Sequence, residues 1–320
     1  MTGDGLTPID AAAWLERLRD REGSRPSCYA MYSSFADGVV TDPRLMMVPV
    51  DDHMVHRGDA VFETLKCVDR GIYNLRPHLE RLLVSAAGIG LAHPYSIQRL
   101  AELVLGTTRA GNRSDALIRI LLSRGTGSMG VNPHDCVRPE LYIIVSPPKR
   151  PFMARKPEGA HIAFSRIPAK PPPFAAIKHC NYLPNALMAK EATDRQVDFV
   201  ISCGADHRIL EGPTENIALI TDTHEFVAPD TPDILPGTTL ARLMELAEPL
   251  KGEGVLRDVR HGTLYPEDLA TAREVFIAGT SHDIIAVTRV EETTYPIGPI
   301  YQRLHAALQE DIRAERTAID

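Results

Sequence analysis

Cysteine is scarce in this chain of 320 residues, and what there is stands too far apart for joint work. Cys28, Cys67, Cys136, Cys180 and Cys203 are odd in number and include no Cys-x-x-Cys pair. Neither a disulfide framework nor a cysteine zinc site is expected, and no His-Glu-x-x-His spacing offers a metal site built on histidine. No apolar run approaches the ~20 residues needed to cross a bilayer. The segment Met1 to Ser24 reads instead as an amphipathic helix of mixed charge. It lacks the charged start and apolar core of a signal peptide, so the cytosol is the expected compartment. A long basic run is also missing, and the net charge is −7; nucleic acid is therefore not an expected partner. Without a Gly-x-Gly-x-x-Gly or a Walker loop, a nucleotide-binding doubly wound sheet is disfavoured. No internal repeat is found at solenoid periods.

What remains is an ordinary globular composition, 44% hydrophobic and 24% charged, long enough for about two domains of ~150 residues. The densest punctuation lies at Pro147-Pro148-Lys149-Arg150-Pro151 and from Pro168 to Pro173. Proline lacks a backbone donor and disfavours helix in the residue before it. The chain accordingly divides into a helical extension (1–27), a small domain (28–148), a linker (149–155) and a larger domain (156–320). Strands are expected at Cys28–Ser33, Leu45–Val50, Ala60–Val68, Ala116–Leu122 and Leu141–Val145. Helices are expected at His78–Gly88 and Ser96–Gly106. Beyond the linker, the strand Ala160–Phe164 precedes a helix over Leu183–Arg195. A hairpin then joins Asp198–Ser202 to Asn216–Ile220, and a helix over Thr238–Leu250 follows the turn at Leu235-Pro236-Gly237. Glu274–Ala278 and Ile284–Val290 complete the strands, and Ile300–Arg316 forms a last helix. Helices alternating with short strands indicate an α/β or α+β fold.

Four features carry chemistry. Lys178 sits among small and apolar residues in Phe174-Ala175-Ala176-Ile177-Lys178-His179-Cys180, where desolvation lowers an amine pKa and makes it a nucleophile. Glu211, in Leu210-Glu211-Gly212-Pro213, could face a bound heterocycle. The turn Leu235-Pro236-Gly237-Thr238-Thr239 opens a helix and suits a phosphate. Arg81 could balance that phosphate's charge. Taken singly, each has an ordinary alternative: a solvated lysine, an exposed turn residue, a plain helix cap and a surface ion pair.

Their order in the chain makes them more telling. Arg57-Gly58-Asp59-Ala60-Val61-Phe62-Glu63-Thr64 resembles the Arg-Gly-Asp-Gly-Val-Phe-Glu-Thr signature of the fold-type IV pyridoxal-5′-phosphate (PLP) aminotransferase family. His78-Leu79-Glu80-Arg81-Leu82 is similar to that family's His-x-x-Arg-Leu helix. Lys178 with Asn181-Tyr182-Leu183 is similar to its Schiff-base segment, Glu211-Gly212 with Asn216 to its pyridine clamp, and Leu235 to Thr239 to its phosphate turn. The resemblance runs from about Tyr29 to the C-terminal end. It implies a two-domain enzyme with PLP in the interdomain cleft, usually homodimeric. Lys178 would be the Schiff-base lysine and general base. Arg81, Thr238 and Thr239 would hold the phosphate end, Tyr182 the phenolic oxygen and Glu211 the pyridine nitrogen, and Thr280 would add a second phosphate or substrate contact. A transaminase of this kind would move an amino group between an amino acid and a 2-keto acid such as pyruvate or 2-oxoglutarate.

Asp51-Asp52-His53-Met54-Val55-His56-Arg57-Gly58 and Asn181-Tyr182-Leu183-Pro184-Asn185 are worded most like the D-amino-acid transaminase branch, especially its plant-type forms. One departure stands out. Arg124-Gly125-Thr126 is not followed by the Arg-x-His that traps the substrate carboxylate in well-studied bacterial members. Arg57 is the expected replacement, with Phe62 and Thr64 lining the substrate side; the alternative is an arginine paired with Asp51, Asp52 or Asp59. A branched-chain aminotransferase, an aminodeoxychorismate lyase and a PLP-binding protein without turnover are the competing readings.

Overall fold

The computed structural model describes residues 7–19, 28–230 and 233–320. Helix α1 (Ala11–Arg19) lies within the expected N-terminal helix; the rest of that expectation, at 1–6 and 20–27, lies outside the described residues.

The first half builds strands β1 (Ala30–Ser33), β2 (Gly38–Val40), β3 (Ala60–Val68), β4 (Gly71–Tyr73), β5 (Ala116–Ser123) and β6 (Glu140–Ser146). Its helices are α2 (His53–Arg57), α3 (Leu75–Gly88) and α4 (Ile97–Ala110). The long strands alternate as half-buried strands should. Val61, Leu65 and Cys67 of β3, with Ile118 and Ile120 of β5, pack under Leu79 and Leu82 of α3 and Leu100 and Val104 of α4. Phe62, Thr64, Leu117 and Arg119 take the opposite parity, and all four line a cleft on the other side. Helix α4 begins where Ser96 Oγ accepts the Arg99 N–H at 3.1 Å, an ordinary N-cap. The region Leu45–Val50 does not form the expected strand. Asp42 accepts the Arg44 N–H and starts a 3-10 turn, Pro43–Leu45, and Met47 and Val50 stay exposed with no neighbouring strand to pair.

The second half adds β7 (Ala160–Phe164), β8 (Phe199–Ile201), β9 (Asn216–Ile220), β10 (Glu225–Pro229), β11 (Asp258–Gly262), β12 (Glu274–Gly279), β13 (Asp283–Val290) and β14 (Thr293–Thr294). Helices α5 (Phe152–Arg155), α6 (Leu183–Asp194), α7 (Thr238–Gly252), α8 (Pro266–Thr271) and α9 (Pro299–Ala314) accompany them. Their order in the sheet is β11-β10-β9-β12-β13-β7-β8, with β14 paired to β13. Helices α7 and α9 cover one face, through Leu240, Leu243, Leu304 and Leu308; Phe152, Leu264 and Leu269 cover the other. The expected hairpin between Asp198–Ser202 and Asn216–Ile220 is not formed. β8 pairs in parallel with β7, while β9 lies between β10 and β12. A smaller reversal exists nearby: the Leu210 N–H donates to the Ser202 carbonyl and the Ser202 N–H to the Glu211 carbonyl, each at 2.9 Å. The turn chemistry was sound, but its return strand ends at Glu211.

The last residues do not stay with the second sheet. After α9, strand β15 (Arg316–Ala318) pairs antiparallel with β4, giving the first sheet the order β15-β4-β3-β5-β6-β1-β2. Ile319 is fully buried in the first core, and its carbonyl accepts from Arg109 Nε at 2.7 Å. Tyr73 of β4 donates to Asp311 of α9, which also accepts from Arg242 of α7. The domain expected to run through residue 320 thus lends its end to the other one. Ile319→Ala removes a buried side chain at this junction, and a loss of roughly 2–4 kcal/mol is expected. Urea unfolding followed by far-UV circular dichroism measures it.

Candidate active site

The cleft between the two sheets is a cavity of about 230 Å³. One wall comes from β3 and β5, the other from Asn216, the turn entering α7 and the turn between β12 and β13. Lys178 reaches it because its segment is stitched alongside β3. Phe62 N–H donates to the Lys178 carbonyl at 2.9 Å and Cys180 N–H to the Ala60 carbonyl at 2.8 Å. Farther along, Asn181 donates to the Gly58 carbonyl at 3.2 Å. Gly58 ends α2 with φ at +66°, and a Cβ there would meet Asn181 Oδ1 at 2.5 Å. The position needs glycine for its conformation and for the close approach.

The Lys178 side chain is 8% exposed. Its Nζ lies 4.6 Å from the Phe62 ring centroid and 5.8 Å from that of Tyr182, with no hydrogen bond to it among the described residues. Burial, reinforced by the Arg81 charge, lowers its pKa to about 8. This is a nucleophilic amine waiting for an electrophile. Tyr182, edge-on to Phe62, begins α6; burial raises its phenol pKa.

An anion site occupies the far end of the cleft. Thr238 and Thr239 open the 15-residue helix α7, whose first N–H groups have no partner within the helix. Thr280 lies across from them on the same lining. Arg81 approaches from α3, held by a buried carboxylate: its Nε and one Nη donate to Glu63 at 2.7 and 2.8 Å. The other Nη donates to the Pro236 carbonyl at 2.8 Å, which leaves guanidinium hydrogens over for a ligand. His78, one turn before Arg81, gives Nδ1 to the same Glu63 at 2.7 Å. Its Nε2 faces Thr238 Oγ1 at 3.2 Å and Thr280 Oγ1 at 3.5 Å. Burial alone would raise the Glu63 pKa, but the bonds and charges of Arg81 and His78 override it and hold the carboxyl at about 2.

Glu211 sits behind the cleft lining. Its Oε2 accepts from the Leu235 N–H at 3.0 Å and lies 3.5 Å from the Asn216 amide nitrogen. Burial raises its pKa to about 7, against the pull of Lys170 and of that backbone N–H. Lys170, from the proline-rich segment, lies 5.3 Å from the Tyr182 ring centroid and shares a small cavity with Glu211.

Phe62, Thr64, Arg81, Lys178, Tyr182, Thr238, Thr239 and Thr280 are therefore brought together as expected from the sequence. Arg57 is not. Its guanidinium donates to the carbonyls of Gly130, Met129 and His56, so neither the cleft nor Asp51, Asp52 or Asp59 receives it. The sequence reading also passed over Glu63, His78, Lys170 and Arg119. The signal for Arg119 was present: it is the lone charge in Ala116-Leu117-Ile118-Arg119-Ile120-Leu121-Leu122, at the parity opposite the core. It pairs across strands with Thr64, and its guanidinium lies 5.6 Å from the Phe62 ring centroid.

PLP fits this donor set. Arg81, three threonine hydroxyls and a helix start suit its phosphate, Lys178 its carbonyl carbon, and Glu211 its ring nitrogen. Lys178 should react with a small electrophile such as cyanate with a half-maximal rate near pH 8, because only the deprotonated amine attacks. Surface lysines should follow their ordinary midpoint near 10.5, and peptide mass spectrometry across pH separates the two.

Comparison with known proteins agrees with this geometry. Residues 60–290 match the family model of the class IV amino-transferases. A chloroplastic D-amino-acid transaminase of Arabidopsis thaliana is 36% identical over 303 residues, covering 93% of this chain and 80% of its own. A bifunctional aminodeoxychorismate lyase / D-amino acid transaminase of Mycobacterium tuberculosis is 29% identical, covering 66% and 76%. The crystal structure of the Escherichia coli branched-chain amino acid aminotransferase superposes with a TM-score of 0.82 at 26% identity, over 91% of this chain and 99% of that one. Solved neighbours carry PLP or its pyridoxamine form. The family model spans most of the sequence and one relative exceeds 30% identity across nearly all of it: this chain belongs to the class IV aminotransferases, which work with pyridoxal 5′-phosphate.

Proposed function

We propose that this protein transfers the amino group of a D-amino acid to a 2-keto acid such as pyruvate or 2-oxoglutarate, in two half-reactions at one site. The observation that carries the transamination chemistry is the partly deprotonated, unpartnered Lys178 amine in one cleft with the Arg81, Thr238 and Thr280 anion site. The D-amino-acid preference rests on the 36% likeness to the plant enzyme.

Bound PLP supplies a carbonyl for amines and a ring that accepts the electrons released at the substrate Cα. The protein does the rest. Lys178 Nζ would hold the cofactor, and once freed by the incoming amine it would take the proton from the substrate Cα as general base. Phe62 and Tyr182 fix the position of that nitrogen. Glu211 would stand as partner to the ring nitrogen, and the nearby Lys170 charge favours its ionised form.

For the substrate carboxylate, we assign Arg119 in place of Arg57. Arg119 makes no hydrogen bond or ion pair among the described residues and shares the cavity lining with Lys178; a guanidinium is the side chain best shaped for bidentate carboxylate binding. Arg119→Ala is expected to raise KM for the amino donor about 10- to 100-fold, the equivalent of one charged hydrogen bond, with little change in PLP content. Steady-state kinetics beside Arg57→Ala decides the assignment: an effect in Arg57→Ala alone would return the role to Arg57.

A half-reaction screen tests the whole reading. D-amino acids should bleach the visible absorbance of the bound cofactor and yield keto acid. Bleaching by L-branched-chain amino acids alone would favour the branched-chain reading. Pyruvate release from aminodeoxychorismate without a keto-acid acceptor would favour a lyase, and a coloured protein that no amine bleaches would be a binding protein. Light scattering on the same sample reads whether the enzyme works as a homodimer.

A further inference from the structure

The anion site contains a charge balance and a hydrogen count that do not close with a neutral histidine. Glu63 carries one negative charge, matched by the single positive charge of Arg81. A phosphate dianion entering beside this pair meets a cluster with no net charge of its own. The hydroxyl hydrogens add a second difficulty. Glu63 is an ionised acceptor, so His78 must hold its hydrogen on Nδ1 to make the 2.7 Å bond. A neutral His78 then presents a bare Nε2 to Thr238 and Thr280. Either hydroxyl that donates to that nitrogen commits its one hydrogen there and has none for the phosphate. A proton on Nε2 reverses the polarity: imidazolium donates to a threonine oxygen, and both hydroxyls are free to donate to phosphate.

We propose that His78 is the proton-adjustable cation of the phosphate site, neutral when the site is free and imidazolium when a phosphorylated cofactor is bound, so that cofactor binding takes up a proton from solvent. This deepens the reading that the phosphate end lies at Arg81, Thr238 and Thr280, and rests on it.

The surroundings of His78 support a group balanced between two states. From β3 Glu63 favours the charged form; Arg81 on its own helix and Lys178 from the segment before α6 oppose it. The start of α7 and the turn after β12 bring the hydroxyls of Thr238 and Thr280 to its Nε2, and the same turn carries His282 on the cavity lining. The ring is 1% exposed, and without a ligand burial wins and lowers its pKa. Two added negative charges in contact with Thr238 and Thr280 shift the balance the other way. Because Glu63 bonds both His78 and Arg81, the protonated ring also relieves Glu63 of being the counter-charge to a single cation.

The test uses pyridoxine 5′-phosphate, which carries the phosphate but has no carbonyl to react with Lys178. In ¹⁵N-histidine NMR of the full chain at pH 8, the free protein should show one protonated and one bare His78 nitrogen, and the complex two protonated nitrogens. The signal is assigned by its loss in His78→Gln, or by its displacement in Thr280→Ser if the glutamine variant does not fold. Binding should weaken by up to tenfold more per pH unit above pH 7 in the wild type than in His78→Gln, which can donate to a hydroxyl but take up no proton. A histidine with purely structural work would lower affinity equally at every pH. A bare Nε2 in the complex overturns the proposal. Where Thr238→Val and Arg81→Lys weaken binding, that result strikes the proton uptake alone. Unchanged binding in both variants would place the phosphate elsewhere and overturn the proposal with the site reading it rests on.

Discussion

A carboxylate with no access to water, Glu63, organises the end of the cleft where Arg81, Thr238 and Thr280 meet. It lies on the core face of β3, at a parity where its strand neighbours are Val61 and Leu65. A bare charge there would cost several kcal/mol. The cost is met by directing two side chains of α3 at it: His78 and Arg81 are three residues apart, so they share one helix face. Neither can turn elsewhere without stranding the acid. The arginine is therefore already aimed, and its remaining donors face the cleft before any ligand arrives. Such a buried pair contributes little net stability; its value here is orientation, since a ligand need not pay to order a long flexible side chain.

The other end of the cleft is organised by backbone. Lys178 is placed by hydrogen bonds of its own main chain and of Cys180 to β3, and Phe62, which donates one of them, also presents its ring to the lysine amine. One strand thus holds the nucleophile on one face and the phosphate-side acid on the other. The tripeptide Phe62-Glu63-Thr64 is informative for that reason: alternation sends its first and third residues to the cleft and its second to the support beneath.

Much of this was legible from the residues alone. Phe62, Thr64, Arg81, Lys178, Tyr182, Thr238, Thr239 and Thr280 share one cleft because each belonged to a local motif, and local motifs survive translation into three dimensions. Pairings between distant segments were less readable. The hairpin expected after Asp198 was misread because β8 finds β7, a parallel partner, and nothing in a strand's own sequence announces which neighbour it will meet. Leu45–Val50 has the apolar content of a strand, but the Asp42-capped turn at Pro43–Leu45 takes its start and its apolar side chains at Met47 and Val50 stay exposed. Arg57 looked available because its neighbours Asp51, Asp52 and Asp59 were the visible competitors. The real ones are carbonyl groups of residues 129 and 130, which carry no side-chain signature. Glu63 and His78 stood inside quoted motifs, yet their roles required knowing that β3 and α3 lie face to face.

The return of the C-terminus to the first sheet also bears on the order in which the molecule can be made. A chain leaving the ribosome exposes β3, β4 and β5 well before the strand that covers the edge of β4, which follows α9. Until then, that edge offers unpaired N–H and C=O groups to any extended segment nearby. The first sheet is thus completed only after the second half has been made, and its integrity depends on that half having folded far enough to deliver α9 to its place.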